Sequence, residues 1–482
     1  MTSTRADRRV RPLWLILIAT SLPMFMASLD NLVMTNALPV LHLELGAGVE
    51  ELQWFMNAYT LAFAAGILGA VALGDRLGRR TLFVAGIAVF TLASAAAALS
   101  SDPGQLIAAR AVQGLGGAAI MPLSLALLAG AVAPERRPLA IGIWGGVSGL
   151  GVATGPLIGG AVVEGLNWQS IFWINVPIGA ISVVLAAVVL KNSRGARAPI
   201  DWAGLLLVAV GLLGVVFGIV RGNEAGWSST EVLGSLGIGV ASLIGFIAWE
   251  RRATHPLLPL RLFRDRSFSV ANIVGFAFSF GIFGSIFLLI QYLQIVQGAS
   301  PFQAALQTSP WTLAPMIAAP LAGALVPRLG TRTPIITGLV MEAVALLWIV
   351  ILMPTDSGYP ALVAPFIIAG LGMGFVIAPS ATAVLATMAP DDHAKASGAN
   401  SAIREVGVAL GVAVLTAVFT GGGGELTPTG YVAPAIPAVL VGAAVLALSA
   451  IAAIALPGRR RAVPPAPAVE STTHEQLEPV EV

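Results

Sequence analysis

The chain has 482 residues, 57% hydrophobic and only 10% charged, with a formal net charge of +2 and a mean hydropathy of +0.88. A soluble domain carries about 25% charged residues, so a water-soluble enzyme or binding module is excluded. The absence of cysteine removes disulfides and thiolate metal sites.

Hydropathy predicts fourteen apolar spans, at 13–34, 52–73, 81–100, 104–131, 139–163, 170–190, 201–221, 232–250, 270–295, 309–327, 334–353, 359–388, 400–420 and 433–456. The runs are continuous rather than alternating, which favours helices over a β-barrel. The first run is too long for a cleavable signal peptide. Residues 1–12, with Arg5, Arg8, Arg9 and Arg11, precede it, and a tail from 457 to 482, rich in Pro, Glu and Thr, reads as disordered. Lys and Arg occupy both terminal segments and alternate connections; the intervening connections carry acids such as Glu50, Asp102, Glu231, Asp356 and Glu425. Cytoplasmic loops retain Lys and Arg, so both termini are placed in the cytoplasm and the span count is even. The basic residues follow topology, which leaves no support for a nucleic-acid partner. Three arginines, Arg110, Arg221 and Arg404, lie inside or at the end of spans.

The chain repeats itself. Arg76, Leu77, Gly78, Arg80, Thr81 and Gly86 match Arg328, Leu329, Gly330, Arg332, Thr333 and Gly338 at an offset of 252, and Gly114, Leu115, Gly116, Pro134, Ala140 and Gly142 match Gly370, Leu371, Gly372, Pro390, Ala396 and Gly398 at 256. Two six-helix halves, 13–190 and 267–456, therefore flank an inserted helix pair within 191–266. Such repeats point to a transporter whose site lies at the midplane between them.

Four motifs carry a family resemblance. Gly74-Asp75-Arg76-Leu77-Gly78-Arg79-Arg80 follows span 2; Leu29-Asp30-Asn31-Leu32-Val33-Met34-Thr35-Asn36-Ala37-Leu38-Pro39 lies in span 1; Arg110-Ala111-Val112-Gln113-Gly114 lies in span 4; and Gly151-Val152-Ala153-Thr154-Gly155-Pro156-Leu157-Ile158-Gly159-Gly160 lies in span 5. With them the chain resembles the major facilitator superfamily, specifically its fourteen-span drug:proton antiporters, over about residues 13–456. The resemblance implies an all-α polytopic membrane protein of major facilitator fold, not an enzyme. It implies export, across the cytoplasmic membrane, of lipophilic cationic or neutral drugs and toxic compounds in exchange for protons, with no cofactor or metal, by a functional monomer in a lipid bilayer. Two alternatives stay open: a dedicated exporter of one endogenous metabolite or antibiotic, and a non-transporting sensor or scaffold.

Few charges remain inside the spans. Asp30 is placed late in span 1; an intramembrane acid can take up and release a proton as its access to water changes, or it is a capped structural Asp bonded to Asn31 or Asn36. Arg110 needs a carboxylate or carbonyl partner, and Asp30 is the natural one. Arg404 and Glu405, adjacent in span 13, point about 100° apart and cannot share a partner; the resemblance assigns Glu405 to cationic substrates. Glu342 is either a second acid on the cavity or a structural hydrogen-bond donor facing spans 13 or 14. The resemblance makes Gly74, Asp75, Arg76, Gly78, Arg79 and Arg80 a gating cluster, in which Asp75 latches onto the N-terminus of a second-half helix when the outside is open; topology alone also accounts for the arginines, though not for Asp75 or the glycines. Gly151, Gly155, Gly159 and Gly160 make a small-residue stripe for close packing on another span, and Pro156 bends it. Trp54, Trp144, Trp311 and Trp348 are candidates to line a cavity for flat cations.

Overall fold

In the computed structural model the described residues are 12–133, 136–195, 199–355, 358–386, 388 and 392–457. The basic residues before 12, Arg197, Asp356, the repeat's Pro134 and Pro390, and the predicted tail from 458 lie outside them. The helices are α1 (Leu13–Leu45), α2 (Val49–Leu77), α3 (Arg79–Ala98), α4 (Pro103–Ala131), α5 (Arg137–Gly165), α6 (Ser170–Trp173), α7 (Asn175–Val189), α8 (Trp202–Ala225), α9 (Thr230–Glu250), α10 (Arg266–Ile295), α11 (Pro301–Leu329), α12 (Arg332–Leu352), α13 (Gly358–Leu385), α14 (His393–Gly421) and α15 (Pro428–Ala453). Two predicted spans are not simple rods. The sixth is α6 plus α7, and α2 bends by 51° between Ile67 and Gly69, where glycines relax the backbone.

The ends follow from local chemistry. Asp102, Ser229, Asp265, Ser300 and Thr427 each accept from a backbone N–H of the first turn of α4, α9, α10, α11 and α15, and Gln303 completes a capping box with Ser300. Gly78, at φ 113°, holds the α2–α3 corner in a conformation that a side chain would strain. At 33 residues, α1 is about 50 Å long, well beyond the predicted 13–34.

The repeat is a packing rule. Gly114 of α4 lies against the Tyr59 carbonyl of α2, and Gly370 of α13 lies against the Trp311 carbonyl of α11. Gly86 and Gly116 bring α3 onto α4; Gly338 and Gly372 bring α12 onto α13. Gly151 and Gly155 of α5 press on the Phe25 and Leu29 carbonyls of α1, and Gly407 and Gly411 of α14 press on those of Phe276 and Phe280 in α10. Lipid tails are as apolar as the side chains, so close backbone approach supplies the cohesion that exclusion of water gives a soluble core.

The halves meet unevenly. At the end bearing the Arg-poor connections, Gly160 of α5 packs on Pro301 and Phe302 of α11, Glu164 accepts from the Ser300 hydroxyl and from the Phe302 N–H, and Gln294 of α10 donates to the Asn36 carbonyl of α1 at 3.2 Å. Toward the Arg-rich end, Gly142, Gly145, Gly146 and Gly149 of α5 and Gly323 of α11 have open space where a Cβ would stand, and Ile317 and Leu321 of α11 are exposed. The bundle is shut at its Arg-poor end and open at its Arg-rich end.

Candidate functional site

Asp30 sits near the middle of α1, not late in it, because the helix continues to Leu45. Its carboxylate is enclosed by donors. Oδ2 accepts from Arg110 Nη1 at 2.6 Å. Oδ1 accepts from Gln113 Nε2 at 2.9 Å and from Asn175 Nδ2 at 2.7 Å. Behind these, Ser94 Oγ accepts from Gln113 Nε2 at 2.8 Å and Asn175 Nδ2 at 3.3 Å. Arg110 Nη1 also reaches Gln113 Oε1 at 2.7 Å, and its Nε donates to the Phe55 carbonyl at 3.1 Å.

The cluster is buried. Arg110, Gln113, Asn175 and Ser94 are 0% exposed and Asp30 is 4% exposed. Four helices supply it: α1, α3, α4 and the start of α7, where the break at Ile174 turns Asn175 toward Asp30. The guanidinium lies 4.4 Å from the Tyr59 ring centroid, a cation–π contact worth most where water is excluded. A buried ion pair survives only with its remaining donors and acceptors satisfied. Here the carboxylate has three donors, and among the described residues Arg110 Nη2 and Asn175 Oδ1 are the cluster's atoms without a partner. Of the two residues weighed as a cap for Asp30, the Asn31 side chain lies outside the described residues, and Asn36 Nδ2 donates to the Pro156 carbonyl at 3.1 Å.

The residues at the equivalent places of the second half carry no charge. At the offsets given above, Tyr59, Ser94, Arg110, Gln113 and Asn175 correspond to Trp311, Leu346, Phe366, Ala369 and Tyr431. Trp311 stacks on Phe366 with centroids 5.7 Å apart, where the first half stacks Tyr59 on a guanidinium. Trp311 also lines a small gap between the halves with Leu32, Thr35, Pro156, Ile286 and Thr308. Of the other tryptophans weighed for a cavity, Trp54 tilts against Phe217 at 6.1 Å, Trp144 donates to Ser124 Oγ, and Trp348 is exposed.

The remaining acids separate. Glu342 is fully buried in α12, its Cγ against Gly372 of α13, and neither carboxyl oxygen has a partner among the described residues. It lies within the second half, in the place Phe90 takes in the first. Glu405 and Arg404 diverge as adjacent helical positions must. Arg404 packs along Gly275 with its guanidinium 5.9 Å from the Phe278 ring of α10. Glu405 is partly buried, and its Oε2 has no partner among the described residues.

Asp75 contacts its own half and the linker that follows it. Its Oδ1 accepts from Arg79 Nε at 2.7 Å, its carbonyl accepts from Gly195 N at 3.1 Å, and Arg79 N donates to the Ser193 carbonyl at 2.8 Å. Arg80 donates to Asn192 Oδ1 and to the Ala187 and Leu190 carbonyls, while Arg76 is exposed. Gly74 and Gly78 leave room for Leu123 and Asn192. With the Arg-rich end open, no second-half helix is recorded against Asp75 among these bonds. In α5 the stripe has definite partners: Gly151, Gly155 and Gly159 meet α1, and Gly160 meets α11.

A bundle of paired six-helix halves around one buried ion pair is the architecture of a secondary transporter. The sequence profile of the Major Facilitator Superfamily matches residues 20–283 and 271–480, and the chain belongs to that superfamily; it is a multi-pass transport protein and not an enzyme. It is 34% identical over 434 residues to the Tetracenomycin C resistance and export protein of Streptomyces glaucescens, covering 89% of this chain and 80% of that one. It is 36% identical over 408 residues to the Multidrug resistance protein Stp of Mycobacterium tuberculosis, covering 84% and 75%. A POT family peptide transporter shares the fold at a TM-score of 0.65 and 16% identity, covering 90% of this chain and 96% of that one.

Asn175 and Ser94 were not singled out from the sequence as site residues. Both belong to apolar spans, and an isolated Asn or Ser there carries no signal of its own; only the fold brings them to Asp30.

Proposed function

We propose that the chain is a proton-coupled antiporter that exports lipophilic cationic or neutral compounds across the cytoplasmic membrane, acting as a monomer with both termini in the cytoplasm. The Arg-rich end is then cytoplasmic and the conformation is inward-open. The observation that carries the coupling is the buried cluster of Asp30, Arg110, Gln113 and Asn175 in one half only. Relatives named for resistance and export support the direction and the cargo.

The cycle follows from charge. While Asp30 is anionic, Arg110 is held to it. A proton on the carboxyl removes the anion that the guanidinium pairs with, and Arg110 relaxes against Tyr59. Tyr59 of α2 carries the guanidinium on its ring, and α2 packs on α14 of the second half through Leu61 and Ala409, so the charge state of the first half biases how the second packs on it. Glu405 of α14 attracts the cationic part of a substrate. Asp75 takes its latching partner on the second half only when the cytoplasmic end closes.

The test is substrate-triggered proton movement in liposomes holding the purified protein, with a pH-sensitive dye inside and a panel of lipophilic cations and neutral drugs outside. Proton flux with several chemically unlike compounds is expected. Flux with one compound alone moves the assignment to a dedicated exporter, the reading favoured by the relative named for tetracenomycin C. Folded protein that moves no protons with any compound sinks the coupling.

A further inference from the structure

The inserted pair α8–α9 has no counterpart in the repeat, and the cycle above gives it no task. Yet α8 lies in the groove between α2 and α14, a helix from each half. Leu61 of α2, Val216 and Val220 of α8, and Ala409 and Ala413 of α14 share one buried cluster. At the Arg-poor end α8 is fixed to both neighbours within two residues. Arg221 Nη1 donates to Glu50 Oε2 of α2 at 2.9 Å, and its Nε donates to Glu231 Oε1 at the start of α9 at 3.1 Å. Asn223 Nδ2 donates to the Ala417 carbonyl of α14 at 2.6 Å and to Thr420 Oγ1 at 2.7 Å, while Asn223 Oδ1 accepts from Trp227 Nε1 at 2.8 Å.

We infer that Arg221 and Asn223 are positioning residues of the transport cycle: together they make the end of α8 a clasp across the two halves that holds the Arg-poor end shut. For that end to open, the tips of α2 and α14 must separate. The last turn of α8 is a rigid helix and cannot lengthen between them, so it stays with one tip and releases the other. Arg221 ties it to the first half and Asn223 to the second, so the links act in series and breaking either one frees the bridge. Each link is weak, a part-exposed ion pair or a neutral hydrogen bond, and shifts an equilibrium by about tenfold at most. That is the scale a gate needs if it is to open in every cycle. The inference concerns the motion and not the cargo, so it stands whether or not the chain moves drugs; its outer placement rests on the orientation proposed above.

The chain has no cysteine, so Thr308→Cys, at a site 4% exposed in the closed gap, gives a single reporter. Its labelling rate in intact cells by a membrane-impermeant maleimide measures opening to the outside. Arg221→Gln and Asn223→Ala are each expected to raise that rate several-fold, and the double variant no further than either single one. Glu231→Gln, which loosens α8 only from α9, is expected to leave the rate unchanged, as is Arg221→Lys, which keeps the pair with Glu50. Unchanged rates in both single variants overturn the clasp. So does a double variant whose rise is the product of the two, because independent contacts multiply and links in series do not. Fast labelling of the Thr308→Cys parent also overturns it, since the bridged end would then not be shut.

Discussion

Asp30 has three side-chain donors, one of them a cation, and they divide the work. Arg110 supplies charge and a planar fork; Gln113 and Asn175 supply direction. Arg110→Lys keeps the charge but cannot reach Asp30, Gln113 and the Phe55 carbonyl together or stack as a plane on Tyr59. Its expected outcome is a transport rate lowered at least about tenfold in protein that still inserts, read by substrate flux. Arg110→Ala leaves the carboxylate buried without its cation, at a cost of about 3–5 kcal/mol, and lowers the melting temperature of the purified protein. The two buried acids are expected to part company. Asp30→Asn abolishes proton-coupled flux, whereas Glu342→Gln, inside the second half with no partner to lose among the described residues, retains it; equal loss in both would place Glu342 in the coupling path.

Among the elements, α5 is a helix of two characters. Gly151, Gly155 and Gly159 bring it against the α1 backbone, while Gly142, Gly145, Gly146 and Gly149 face open space. A Cβ at Gly155 would lie 3.0 Å from the Leu29 carbonyl oxygen, and a larger side chain forces the pair apart. Gly155→Val is expected to cost about 1–3 kcal/mol or more, read as a lowered melting temperature. Gly142→Ala meets nothing and relieves the entropic penalty of glycine in a helix, about 0.5–1 kcal/mol, so it leaves stability equal or higher. Gly411→Val in α14 repeats the Gly155 result, because Gly411 presses on the Phe280 carbonyl in the same way. These crossings were half legible in the sequence. The spacing of four marks the stripe, but nothing in α5 says that α1 is the surface it meets.

At the scale of the molecule the two halves share a packing scheme but not a chemistry. One buries an ion pair where the other stacks Trp311 on Phe366, so protons are assigned to the first half and an apolar wall to the second. The contacts that hold the Arg-poor end shut combine apolar packing with a few polar links. Glu164 caps the N-terminus of α11 through Ser300 and the Phe302 N–H, an acid placed where the helix dipole is positive. Glu164→Ala removes that cap, and spin labels at the facing ends of α5 and α11 are expected to show a several-fold larger fraction at long distance; an unchanged distribution would remove Glu164 from the gate.

Composition, span lengths, the alternation of Arg-rich connections and the repeat were enough to give a fourteen-helix transporter of paired halves, because hydrocarbon admits only long, internally bonded apolar helices and repeats leave equal spacings. Asp30 and Arg110 stood out for the same reason, since a charge is conspicuous where charges are costly. What the sequence left undecided was every question of facing. Whether Glu342 looks into its own half, whether Asn175 and Ser94 join Asp30, and that α8 bridges α2 and α14 all depend on how each helix is rotated about its axis. That rotation is set by packing with partners 80 to 197 residues away in the chain. In an apolar helix with almost no amphipathic face, no local pattern records it.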